Sequence, residues 1–285
     1  MPLVICAKAA AEGGNPKTHE IPLSYDQKGF IYMKFPCTRR KTALNCWAAS
    51  AAGIVHILSG LGFLSSTVIC AFTGRGGAAA AAVSAFLLSQ IPFLFRKWCV
   101  TLPPVSIILW NLFLLSSVLC GEILDFYTRF AAWDLGVHFL AGFLFAAAGA
   151  FPFYRLQRQF GPAAAVSAFS LSLSSSLLWE FAEFACDFLF QKDMQRDTLL
   201  SSVSTRLLSG NSSIDTVRVE RVTVNGTPWP GYIDIGLIDT MTDLLAGAAG
   251  AAVFLLLALF ALRSSRCRSA VDALVPGRAE NVKRD

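Results

Sequence analysis

The sequence predicts an all-α membrane protein, a polytopic helical bundle of about six transmembrane helices with a small hairpin in the long loop before the last one. Three observations predict it. Charged residues make up 15% of the chain, against roughly 25% in soluble domains. Of the 43 charged side chains, 10 lie in residues 1–42, 9 in residues 263–285 and 11 between Asp187 and Asp234, which leaves the remainder nearly free of charge. Six apolar runs approach the roughly 20 residues that a helix needs to cross about 30 Å of hydrocarbon. This composition excludes a collagen, a coiled coil, a disordered tail and a nucleic-acid-binding domain, and speaks strongly against a soluble enzyme.

Residues 1–42 begin MPLVICAKAAAEGG, an apolar stretch too short and without the basic start of a signal peptide, and are read as an uncleaved, weakly ordered cytoplasmic tail. The transmembrane domain occupies residues 43–262, with spans at Leu44–Leu64, Gly77–Phe95, Pro103–Gly121, Ala131–Tyr154, Pro162–Asp187 and Leu237–Leu262. The first run continues through STVICAF toward Gly74. Connections are short except for residues 188–236, which are polar, alternate in VRVERVTVNG and turn at TPWPG, the pattern of a hairpin outside the bilayer. Residues 263–285 form a C-terminal tail, expected in the cytoplasm. The eight cysteines are scattered, with neither a CxxC metal knuckle nor a disulfide framework.

Basic residues set the orientation. With six spans, the two tails and the second and fourth connections share one side, and that side carries 17 of the 24 lysines and arginines. It is the cytoplasmic side, so both termini are expected inside a bacterial cytoplasmic (inner) membrane. Trp47, Trp98 and Trp133 fall near span ends, as an interfacial belt requires. Asn211-Ser212-Ser213 and Asn225-Gly226-Thr227 fit the glycosylation acceptor pattern, which carries no meaning in a bacterium.

The acids are the informative residues. Thirteen of the 19 map to the outer half and several enter the spans. Asp134 and His138 stand four apart at the start of the fourth span. Glu180, Glu183 and Asp187 occupy one face at the end of the fifth, and Asp239 and Asp243 stand four apart at the start of the sixth. A carboxylate at the middle of a membrane helix costs about 2.5–3.5 kcal/mol, less near the ends, and Glu180 lies roughly 10 Å deeper than Asp187. Small and hydroxyl residues continue each face: Ser172 and Ser176 below Glu180, Gly142, Ala146 and Gly149 below His138, Gly247 and Gly250 below Asp243. Such seams bring helices together, so the last three spans are expected to enclose an acidic pocket open to the outside.

Six carboxylates and an imidazole cannot all be ionised at close range. A divalent metal ion, shared protons, or Arg129 or Arg196 folding over the mouth would neutralise them, and a set of carboxylates with one histidine suits several divalent cations. Each has a plainer alternative. Asp134 and His138 form a local ion pair, Asp187 is solvated at the interface, and Asp239 and Asp243 sit favourably in a first helical turn. Glu180 and Glu183 resist this, because the helix dipole disfavours anions at a C-terminal end. Asp193, Arg196 and Asp197 in DMQRDT, with Asp234 before the sixth span, form a possible lid; the plainer alternatives are a turn held by Arg196 against Asp187 or Asp193, and a helix cap at Asp234. His56 is expected in the packed interior, and Asn111 and Gln90 as interhelical hydrogen-bond partners.

The stretches WDLGVHFLAGFLFA (Trp133–Ala146), LLWEFAEFACDFLF (Leu177–Phe190), DMQRDT (Asp193–Thr198) and GYIDIGLIDTMTDLLAGAAGA (Gly231–Ala251) together resemble the YjdF-like family of uncharacterised bacterial inner-membrane proteins. The resemblance implies a multi-spanning protein with acidic motifs, a long loop between the last two spans and no settled activity. A weaker likeness, at the level of an Asp-x-x-x-His helix start followed by acidic motifs, is to the VanZ-like membrane proteins. Three functional classes stay open: a transporter or ion-coupled protein, a metal-dependent enzyme acting on an envelope lipid or lipid-linked substrate, and a non-catalytic sensor or scaffold. Walker, GxSxG, HExxH, Rossmann and EF-hand patterns are absent from the sequence. The lipid bilayer is the one partner the sequence specifies.

Overall fold

A computed structural model of the chain describes residues 23–25, 31–33, 43–95, 100–157, 160–207, 213–275 and 277–278. Most of the N-terminal tail, Trp98 and the acceptor pattern at Asn211 lie outside the described residues. Within the first 39 residues, β1 (Leu23–Tyr25) and β2 (Ile31–Met33) pair antiparallel, with Leu23 opposite Met33.

The second unit is mostly helical. In chain order it contains α1 (Ala43–Phe72), α2 (Gly76–Ser89), the short α3 (Ile91–Leu94), β3 (Val100–Thr101) and α4 (Pro104–Leu114), which runs on into a π-helical segment at Leu115–Ile123. The single turn α5 (Phe126–Arg129) leads to α6 (Trp133–Gln157) and α7 (Pro162–Phe190). Then come β4 (Thr198–Leu200), β5 (Ser202–Thr205), β6 (Asp215–Arg218), β7 (Val222–Val224), β8 (Thr227–Trp229) and β9 (Tyr232–Asp234). The chain closes with α8 (Leu237–Ala261), α9 (Ser265–Leu274) and β10 (Gly277–Arg278), which pairs with β3. Six helices are long and apolar enough to cross a membrane: Ala49–Phe72, Gly76–Leu94, Pro104–Ile123, Trp133–Tyr154, Pro162–Phe190 and Leu237–Ala261. The first extends past the expected Leu64 because residues 65–72 remain apolar apart from two serines and a threonine. Hydroxyls here are absorbed by the backbone: Ser65 donates to the Gly62 carbonyl and Thr67 to that of Phe63.

Local chemistry sets the helix ends. Proline at the first position opens α4 and α7, where the missing N–H has no helical partner to lose. Gly236 precedes α8 with φ +103, a conformation that glycine alone adopts freely. At the end of α7, Gln191 takes the left-handed conformation and the chain turns off the helix axis.

Large apolar side chains point outward along α1 (Ile54, Ile57, Leu58, Leu61) and α7 (Val166, Leu178, Phe181), whereas alanine is the commonest residue in the described interior, with a few large side chains such as Phe63 and Phe254 among them. This inversion of a soluble core fits a lipid-facing bundle, in which helices associate by close backbone packing. α6 is central, packed along both α7 and α8, and its contacts are made through Ala146, Ala147 and Ala150 against Ala164, Ala168, Ala251 and Phe254. A second cluster of Phe63, Ala85 and Leu114 joins α1, α2 and α4. At one end of the bundle α9 folds back. Val271, Leu274 and Val275 are buried, Ser106 Oγ donates to the Leu274 carbonyl, and the Tyr154 hydroxyl donates to Asp272 at 2.8 Å. The described start of residues 263–285 is thus a helix packed on the bundle.

At the opposite end the long loop forms three antiparallel pairs, β4 with β9, β5 with β6 and β7 with β8. The β7–β8 pair is the hairpin expected from the sequence, turning at Asn225 and Gly226, both with positive φ. The VRVE half of the alternating stretch pairs elsewhere, with β5. Asn111 and Gln90 do not bridge helices as expected: each amide donates within its own helix, to Ile107 and to Phe86 and Ser89 respectively. His56 is partly buried against the Phe93 ring, 4.5 Å between centroids.

Candidate metal centre

The first turns of α6 and α8 and the last turns of α7 meet at the loop end. The glycine and serine seams dictate how closely. A Cβ on Gly142 would overlap the Gly247 backbone, and one on Gly250 would overlap the Phe139 carbonyl, so α6 and α8 are in backbone contact. Ser172 Oγ donates to the Gly142 carbonyl at 2.9 Å and Ser167 Oγ to that of Gly149 at 2.7 Å, which fastens α7 to the same helix. One helical turn toward the loop from these contacts stand His138 and Asp243, and two turns beyond Ser172 stands Glu180 on the same face of α7.

Two groups of ligand atoms result, each within a sphere of mutual distances no greater than 4.8 Å: His138, Glu180, Glu183 and Asp243 form the deeper, and Asp134, Asp239 and Asp243 the shallower. The His138 ring is central, with Nε2 3.6 Å from Asp134 and 3.5 Å from Asp243 and Nδ1 3.8 Å from Glu180. These separations exceed a hydrogen bond. They do fall within the reach of donors around an ion, at most about 4.2–4.8 Å for ligands about 2.1–2.4 Å from a metal, although only one of the two ring nitrogens can face any one ion. Glu180 is 2% exposed and Asp243 1% exposed, and none of their four carboxyl oxygens, nor Glu183 Oε2, has a partner at hydrogen-bonding distance, although the Thr240 and Gln195 side chains stand near Glu180. Buried polar atoms are ordinarily satisfied, so these carboxylates, each with an oxygen gathered beside one imidazole, form a donor set suited to a cation. The remaining Glu183 oxygen accepts from Trp179 Nε1 at 2.8 Å, one turn earlier on α7.

The shallower group is engaged by one arginine. Arg196 Nη2 donates to Asp134 at 2.7 Å, and its backbone N–H to Asp239 at 3.2 Å. Its guanidinium lies over the Tyr127 ring, 5.1 Å from the centroid, a cation–π contact. The π-helical segment prepares that platform: Gly121 leaves room for the Tyr127 ring, whose hydroxyl donates to Ser117 at 3.1 Å, and Trp133 Nε1 donates to the Ser116 carbonyl at 3.0 Å. Burial pushes the Tyr127 phenol up, so it remains a neutral donor.

Asp187 is not part of the cluster. Its two oxygens accept the backbone N–H groups of Met194 and Gln195 at 2.7 and 2.8 Å, which locks the turn that delivers Arg196. Gln195 reaches across to Thr240 on α8 at 2.6 Å. Of the four lid candidates only Arg196 reaches the chamber. Its ionic partner is Asp134, 62 residues away, not the nearby Asp187 or Asp193. Asp193 and Asp197 are exposed and line an adjacent open cleft of about 340 Å³ with Phe184, Asp187, Phe188, Lys192, Gln195 and Ile235. Burial and the neighbouring Asp193, Asp187 and Asp234 push the Asp197 carboxyl up. Asp234 accepts the Ile238 N–H at 2.8 Å and so caps α8. Arg129, the other arginine considered for the mouth, faces Asp125 at 3.9 Å. Trp179 and Tyr127 escape a reading by charge because both are aromatic residues in apolar surroundings. The i, i+4 spacing of Trp179 and Glu183 is the one signal that marks the former.

Fold and site together define a membrane protein of six apolar helices with a buried carboxylate and histidine cluster at one end. The chain belongs to the family described as "Predicted membrane protein (DUF2238)", whose model matches residues 54–264. That membership agrees with the YjdF-like resemblance and lends no support to the VanZ-like one. No curated protein and no solved structure matches the chain.

Proposed function

We propose that this protein binds a divalent cation within the bilayer, at the site formed by His138, Glu180, Glu183 and Asp243, with access from the loop side. The observation that carries the reading is the meeting, within 4.8 Å, of one ligand atom each from His138, Glu180, Glu183 and Asp243 on three helices, where five buried carboxyl oxygens have no hydrogen-bond partner. An imidazole beside carboxylates favours Mn²⁺, Fe²⁺ or Zn²⁺ over Mg²⁺ or Ca²⁺. The skewed placement of basic residues supports a loop side that faces away from the cytoplasm in a bacterial inner membrane.

Among uses of such an ion, Lewis-acid chemistry on an envelope lipid or lipid-linked group gains support from the floor and the rim. Below His138 the helices are in backbone contact through Gly142, Gly247 and Gly250, the Ser172 and Ser167 hydroxyls are spent on backbone carbonyls, and alanine and phenylalanine fill the space beyond, so the described seam offers no titratable group onward. Beside the lid, the cleft floored by Phe184 and Phe188 carries Lys192 and shares Asp187 and Gln195 with the turn that holds Arg196. A bound metal there would polarise a phosphoryl or acyl oxygen. Ion-coupled transport is the second reading, favoured by the depth of Glu180 and requiring the glycine seam to part.

Elemental analysis of the purified chain after exposure to Mn²⁺ or Zn²⁺ tests the binding. Wild type is expected to retain about one ion per chain and Glu180→Gln much less; equal retention in two folded proteins overturns the assignment.

A further inference from the structure

The two groups of ligand atoms share one residue. Asp243 has one ligand atom in the deeper set with His138, Glu180 and Glu183, and one in the shallower set with Asp134 and Asp239. A carboxylate shared in this way can bridge two ions, as in two-metal sites whose ions stand about 3.5–4 Å apart. The sets differ in what already occupies their charge. Among the described residues no lysine or arginine forms an ion pair within 4 Å of Asp243, Glu180 or Glu183, whereas Asp134 and Asp239 both engage Arg196, one through the guanidinium and the other through the backbone N–H.

We infer that the shallower set of Asp134, Asp239 and Asp243 is a second divalent-cation site, and that Arg196 is a tethered counter-ion holding its place. This rests on the proposed binding at the deeper set. Counted with all five carboxylates deprotonated, as ion binding requires, the cluster with Arg196 and one divalent ion in the deeper set carries two net negative charges. Withdrawing the arginine without replacing it leaves three within a few ångströms, which favours entry of another divalent ion. The geometry equips Arg196 for exchange. Its guanidinium is held by a single carboxylate and by the face of Tyr127, whereas its backbone is held independently through the Asp187 turn and the Gln195–Thr240 bond. The side chain can therefore swing out while the backbone keeps its place, which opens the second site to an ion entering from the loop side.

Mn²⁺ is the probe, added to the full-length chain in lipid nanodiscs and measured by equilibrium dialysis and electron paramagnetic resonance. Wild type is expected to hold one ion. Arg196→Gln is expected to hold two, with the spin-coupled signal of a bridged pair, and Arg196→Gln combined with Asp239→Asn to return to one. Arg196→Met, which keeps an apolar stem on Tyr127, provides an independent version with the same expected gain, should the glutamine variant fold poorly. One ion in both folded Arg196 variants overturns this inference and leaves the deeper site standing. No ion in wild type or in either variant overturns the deeper site and this inference together.

Discussion

Adding a single methyl group at Gly142 perturbs the floor of the chamber more directly than any change to the ligands themselves. The new Cβ would lie 2.6 Å from the Gly247 carbonyl carbon and 2.7 Å from its Cα, with the carbonyl oxygen closer still, where ordinary contact begins near 3.4 Å. Those atoms are backbone and cannot rotate away, so α6 and α8 must separate by about 1 Å at this level, as close-packed interiors require. His138 and Asp243 each lie one turn from the contact, and their 3.5 Å approach widens with it. Overpacking of this kind costs about 1–3 kcal/mol. If most of that strain is felt by the ion-bound geometry, affinity falls about 10–100-fold, since about 1.4 kcal/mol is tenfold. Gly136, on the same helix, has open space where a methyl group would stand and supplies the control. Titration of Mn²⁺ into Gly142→Ala and Gly136→Ala in nanodiscs, alongside their thermal unfolding, reads both effects. Matching affinity and stability in the two variants would refute the seam as the element that sets the site.

Three further outcomes follow from the surroundings of the site. Trp179→Phe removes the donor to Glu183 and should weaken Mn²⁺ binding by about 10–100-fold, the usual effect of losing an outer partner of a ligand, measured by the same titration. Asp187→Ala frees the Met194 and Gln195 N–H groups; at about 1 kcal/mol for the lost bonds, hydrogen exchange at these two amides should quicken about fivefold, while ion content at the deeper site is retained. A cysteine introduced at Ser213 in a chain without other cysteines should react with a membrane-impermeant maleimide added outside intact cells, and one at Ser269 only after permeabilisation; the reverse pattern would invert the proposed orientation.

The spans were legible because a lipid solvent leaves little freedom. An uninterrupted apolar run of the right length has few alternatives to a helix, and only the ends differ, as at α1, where serine and threonine hydroxyls bonded to their own helix do not stop it. The convergence of Asp134, His138, Glu180, Glu183, Asp239 and Asp243 was legible for a related reason: burying acids singly is costly, and the small-residue seams beneath them name the facing surfaces. What escaped depends on contacts between distant segments. Asp187 shares a face with Glu183 yet turns to backbone amides of the following loop, which no periodicity encodes. Arg196 finds Asp134 rather than a neighbouring acid because the loop crosses over α6. The Tyr127 platform depends on a π-helical segment, whose extra residue per turn leaves no mark on an apolar sequence. The hydrogen bonds of Asn111 and Gln90 within their own helices show the converse, that a polar residue in a span has a local carbonyl available before any partner helix.

The central claim is that an ion sits against the His138 imidazole and the orphaned carboxylates. Electron spin-echo modulation of Mn²⁺ bound to the wild-type chain reports directly on nitrogen in the coordination sphere. A nitrogen coupling from one imidazole is expected, and it should disappear in His138→Gln, with weaker binding; an all-oxygen sphere in wild type, or a coupling that survives the substitution, would contradict the claim.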